Sequence, residues 1–132
     1  SAVPVLEPSE VAAVALQEGG AVTGRSGLVL QLPPIAGRAF ALAAPDDSML
    51  GAKNGDSFAQ GEILVFSDQP PARSGDYALV LTGSWQGFRK VIFEEHGKRL
   101  RCVPLNRTYE EKRIPRSEVR GLWRLVRRLQ DF

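Results

Sequence analysis

The chain has 132 residues, 43% of them apolar, and a net charge of only +2. That is enough to bury one core, and it excludes both a disordered polar segment and a strongly charged domain. The single cysteine, Cys102, excludes an internal disulfide, and no apolar run approaches the length needed to cross a membrane.

In chain order, residues 1–8, "SAVPVLEP", are held extended by two prolines. "SEVAAVALQE" (9–18) reads as a short helix, with Ser9 as its cap and Gly19-Gly20 as its stop. "SGLVLQLPP" (26–34) is a strand that breaks at its prolines, and "RAFALAA" (38–44) is another. After Pro45, Asp46-Asp47-Ser48 resemble the start of a helix. "GEILVFSD" (61–68) is a strand closed by the turn-rich "QPPARSGD". "YALVLTG" (77–83) and "FRKVIF" (88–93) form a hairpin around "SWQG", and "KRLRCVPL" (98–105) continues the meander after "EEHG". In the tail, Val119, Leu122, Trp123, Val126 and Leu129 fit a helical stripe, and the same residues around Gly121 suit a final strand. Many short strands at regular spacing predict a mainly β, compact single domain with little helix.

The last third is basic, from Lys98 to Arg128, with Glu110, Glu111, Glu118 and Asp131 as partial offset. A solvated face is the expected reading, since no helix-turn-helix, zinc spacing or aromatic RNA-binding pattern accompanies it. No metal or nucleotide motif is present, so no cofactor is expected. No signal peptide is legible, and a lone cysteine fits a reducing, cytoplasmic setting. His96 reads as a solvent-facing turn residue, Cys102 as a small buried hydrophobe, Trp85 as a hairpin-tip contact and Trp123 as core or dimer interface.

The stretch "DDSMLGAKNGDSF" (46–58) carries a serine with no histidine near it in sequence. A serine hydroxyl is a weak nucleophile until a base takes its proton. Lysine serves if burial lowers its pKa from ~10.4 by roughly three units. Lys90 lies in the middle of an apolar strand, where a cation is costly unless paired or neutralised. A strand lysine whose head reaches solvent is the competing reading.

"DDSM", "FAQGEILVF", "SGDYALVL", "FRKVIF" and "VPLNRTY", in that order, resemble the LexA / lambda-repressor family of Ser-Lys self-cleaving domains, which includes the UmuD proteins. "PLNxxY" is most similar to the phage-repressor branch. The resemblance implies Ser48 as nucleophile, Lys90 as general base, Met49 as the residue after the serine, and Asn106 and Tyr109 as a structural corner. It implies a LexA/signal-peptidase-like β domain. An N-terminal arm, residues 1–25, would hold the cleavage-site segment, and residues 26–132 would form the peptidase-like and dimerisation domain. Self-cleavage would inactivate a phage-type or SOS-type repressor. The implied partners are a second copy of the chain, a RecA filament as trigger, and operator DNA through a preceding DNA-binding domain.

Three departures from the family pattern bear on activity. Val14 stands where the family has glycine, which makes Ala13-Val14 the corresponding bond, and a β-branched residue crowds the approach to it. Simple alignment of "FRKVIF" puts Arg89 at the base's position, whereas the turn "FEEHGKRL", one residue longer than usual, favours Lys90. Arginine cannot act as the base. Asp46 replaces a common glycine, and "QGE" (60–62) replaces an acidic motif. Enzymatic activity is therefore open between a Ser-Lys autoprotease and a catalytically impaired domain that serves as an oligomerisation module. A UmuD-like polymerase accessory fragment is the third reading.

Overall fold

The computed structural model describes residues 1–15, 24–52 and 55–129. The protein is mainly β, as the spacing of apolar runs predicts. Among the described residues, nine strands form one mixed sheet: β1 (Ala2–Leu6), β2 (Val29–Gln31), β3 (Ala39–Ala43), β4 (Ile63–Ser67), β5 (Tyr77–Leu81), β6 (Gln86–Glu94), β7 (Arg99–Val103), β8 (Lys112–Pro115) and β9 (Gly121–Leu129). Their order across the sheet is β2-β1-β3-β4-β9-β5-β6-β7-β8. Among these strands, β1 and β3 make the parallel pair and every other pairing is antiparallel. Residues 2–6, expected as part of an arm, are thus a strand inside the sheet.

The central strands are apolar on both faces, which explains their unbroken hydrophobic runs. In β5, Leu79 and Leu81 join the main core with Phe40, Phe66, Phe88 and Trp123. Ala78 and Val80, one step away, join a second cluster with Val91, Leu100 and Cys102. This is the two-residue period of a strand buried on both sides.

The tail is a strand. β9 lies between β4 and β5 and pairs with both, so it supplies backbone partners to two strands that would otherwise present open edges. Trp123 sits opposite Leu79 and packs on Phe40, with ring centroids 4.8 Å apart. A helix here would leave those ladders unpaired, and the backbone demand outweighs the helical stripe. β8 was not legible beforehand, because "KRIP" holds one apolar residue, Ile114, and lies at the sheet's edge.

The one α-helix among the described residues, α1 (Pro8–Ala15), begins one residue earlier than expected. Proline suits the first helical position, where its missing N–H costs nothing. Glu10 reaches back to accept the Glu7 N–H at 3.0 Å, so the cap is built by Glu7, Pro8 and Glu10, and Ser9 lies inside the first turn. Residues 16–18 and the expected stop at Gly19-Gly20 lie outside the described residues.

Candidate active site

Ser48 is held in a tight turn after β3, and no helix starts there. The Asp46 side chain accepts the Ser48 N–H at 3.0 Å, a local bond that favours a turn. The Leu50 N–H closes the turn on the Asp47 carbonyl, and the Met49 carbonyl is taken by the Phe58 N–H, which prevents helical propagation. Gly51 allows the chain to return, since a Cβ there would lie 2.2 Å from the Asp56 carbonyl oxygen.

The corner expected from "PLNxxY" lies directly against this turn. The Asn106 N–H donates to the Ser48 carbonyl at 2.9 Å, and its side-chain amide donates to the Asp47 carbonyl at 3.1 Å. The Tyr109 hydroxyl donates to the Asp47 carboxylate at 2.7 Å. That bond raises the Tyr109 pKa, because it favours the neutral phenol beside an anion. Met49 is 2% exposed and anchors the turn in the main core. These contacts fix the position of the buried Ser48 side chain.

The side chain that meets Ser48 is Arg89. Its Nη1 donates to the Ser48 Oγ at 2.7 Å and to the Phe88 carbonyl at 2.8 Å. Arg89 is itself buried, with its guanidinium 5.4 Å from the Trp85 ring and 5.8 Å from that of Tyr109. Burial lowers its pKa from the ordinary value, while the charge of Asp46 pushes it back. A guanidinium stays protonated at ordinary pH. The hydrogen bond therefore runs from Arg89 to Ser48, opposite in direction to the bond between a nucleophile and its base.

Lys90 is one step along β6 and belongs to the other face of the strand. It pairs across the ladder with Tyr77 and Val103 and lines a cleft of about 730 Å³ that also includes Asp56, Leu105 and Glu111. In that cleft Tyr77 donates a hydrogen bond to the Asp56 carboxylate. The "EEHG" turn does not bring Lys90 to Ser48. Glu95, His96 and Gly97 reverse the chain with φ of 53°, 57° and 83°, and the β6–β7 register is regular from Lys90 to Glu94. Left-handed backbone at two non-glycine residues is uncommon, and here it closes the hairpin without disturbing the ladder.

The bond Ala13-Val14 lies within α1, and Val14 packs against the main core. A peptide bond held within a helix is not free to bring its carbonyl carbon into a near-attack position on a serine hydroxyl. The structure thus brings Ser48, Met49, Asn106 and Tyr109 together with Arg89. It places Lys90 on a neighbouring face and Val14 in a helix. Glu10 and Trp85 were missed as contributors. Glu10 ties α1 to the next segment by accepting the Arg25 N–H at 2.7 Å. Trp85 packs over Gly87, where a Cβ would lie 2.3 Å from the indole, and this glycine was the available signal.

A family model described as Peptidase S24-like matches residues 11–123, a span that includes Ser48, Arg89, Lys90, Asn106 and Tyr109. No curated protein was found to match the chain.

Proposed function

The chain belongs to the Peptidase S24-like family, and from that membership we propose that it is the regulatory domain of a repressor-type protein whose self-cleavage is held off by Arg89. The observation that carries this reading is the 2.7 Å bond from Arg89 Nη1 to Ser48 Oγ. A working dyad needs a neutral amine that accepts the serine proton as Oγ attacks a carbonyl. Arg89 has no lone pair to offer and occupies the hydroxyl oxygen as a donor. The position of Ala13-Val14 inside α1 supports the same reading. On this reading the domain works by association with a second copy, next to a DNA-binding domain on the same polypeptide, and the serine turn is retained as architecture.

The competing reading is autoproteolysis through Lys90. It requires β6 to slip by one residue, which would turn Phe88 and Val91 out of the two clusters they fill. The deciding experiment is intact mass after incubation at about pH 10, where a lysine base becomes increasingly neutral. The wild-type chain is expected to stay intact, as is Ser48→Ala. The double variant Arg89→Lys/Val14→Gly is expected to be cut near residue 13 in a manner that Ser48→Ala abolishes, because it supplies a titratable amine and loosens the helix. Ser48-dependent cleavage of the wild type would overturn the proposal.

A further inference from the structure

Between the β5–β6 turn and the segment from β8 to Arg120 lies a cleft of about 660 Å³, separate from the serine turn. Its volume falls in the range of small-ligand sites. Lys112, Arg113 and Arg120 line it, against one carboxylate, Glu118. Arg113 is engaged with Glu94 at 3.3 Å. Lys112 and Arg120 make no ion pair among the described residues. Both are nevertheless positioned. The Lys112 ammonium stands 5.0 Å from the Trp85 ring centroid. The Arg120 guanidinium lies over Gly83, so close that a Cβ there would meet its Nε at 3.4 Å.

Hydroxyl donors complete the lining. Thr82 Oγ1 is used within its own turn, accepting the Ser84 and Trp85 N–H groups. The hydroxyls of Ser84 and Ser117 form no hydrogen bond among the described residues. An ammonium, a guanidinium fork and two free hydroxyls around one concavity match a group with several acceptor oxygens and more than one negative charge. A single carboxylate would leave donors unused.

We propose that this cleft binds a phosphate-bearing ligand of nucleotide size, with Lys112 and Arg120 holding the phosphate and Ser84 and Ser117 adding donors. No phosphate-binding loop is involved, so recognition rests on side chains. The cleft shares Trp85 with the Arg89 site but not Ser48 itself, and failure to bind phosphate would leave the reading of Arg89 untouched.

The test is calorimetric titration of the full chain with ATP and with inorganic pyrophosphate at about 0.15 M salt, where weak surface attraction is screened. Saturable one-to-one binding is expected for at least one probe, weakened at least about tenfold in Lys112→Gln/Arg120→Gln. The control variant Arg73→Gln/Arg107→Gln removes the same charge elsewhere and is expected to bind as the wild type does. Equal affinity for the two probes would assign the binding to phosphate alone, and tighter ATP binding would add a contact to the base; either supports the site. No saturable heat with either probe at millimolar concentration overturns it. Equal loss in the control variant overturns it too. All four side chains are exposed, so thermal unfolding of the variants is expected to match the wild type.

Discussion

Arg89 donates a 2.7 Å hydrogen bond to the hydroxyl of Ser48, and the two residues lie 41 positions apart in sequence. Both side chains are buried, so the bond forms away from water, where a charge-assisted donor counts most. The pair is a structural tie between the serine turn and β6.

The strength of that tie is measurable in a double-mutant cycle. Ser48→Ala, Arg89→Met and the double variant are expected to show a coupling of about 1.5–3 kcal/mol in urea unfolding, the range for a hydrogen bond to a charged group. Methionine keeps most of the volume, so the cycle isolates the bond from cavity effects. Coupling below about 0.3 kcal/mol would mean that the two residues do not stabilise each other.

Glu10 is expected to control access to α1. Its carboxylate accepts the Glu7 and Arg25 N–H groups, and these bonds lower its pKa from 4.5. A lowered carboxylate pKa contributes stability above 4.5 that is lost as pH falls below it. Glu10→Gln is therefore expected to raise the rate of limited proteolysis within residues 8–15 several-fold at pH 7, and acidification of the wild type is expected to do the same. Unchanged proteolysis in the variant would show that the helix is anchored by other contacts.

Tyr77 gives the fold an alkaline limit. Burial first, and the bond to Asp56 second, push its pKa up to about 12 from 10.0. A raised phenol pKa means that stability is present below pH 10 and is lost as pH rises from 10 through 12. Absorbance at 295 nm is expected to show a phenol titrating near 12, and Tyr77→Phe is expected to flatten the loss of stability in that window. A native spectrum in which every tyrosine titrates at 10 would contradict the burial of this ring.

Cys102 is expected to be inert in the native state. It is fully buried, and that burial pushes its thiol pKa up to about 11. Only the thiolate reacts with disulfide reagents, so labelling at pH 8 is expected to be slow until denaturant is added. Complete labelling of the folded chain within seconds would show that β6 and β7 open readily.

The strands were legible because burial on both faces demands continuous apolar runs, as in "YALVL" and "ILVF". β8 was not, since an edge strand need bury only one side chain, Ile114. The tail remained ambiguous because Val119, Leu122, Trp123 and Val126 fit one helical stripe and, divided between two faces, also suit a strand buried on both sides, and the choice came from the unpaired edges of β4 and β5. At the site, "DDSM" and "PLNRTY" pointed to the turn and to the corner beside it. The identity of the residue facing Ser48 was not legible. Arg89 and Lys90 are neighbours, and which of them faces inward is set by the register of the two hairpins with β5 and β7, which a shift of one residue would reverse.

The left-handed stretch Glu95–Gly97 confines the reversal of the chain to three residues. Up to the edge of this tip β6 and β7 keep an unbroken register, so the inward and outward sets of both strands are defined outside it. Exchange of a donor for a base opposite Ser48 therefore calls for a change at residue 89 itself, the position whose side chain reaches the hydroxyl.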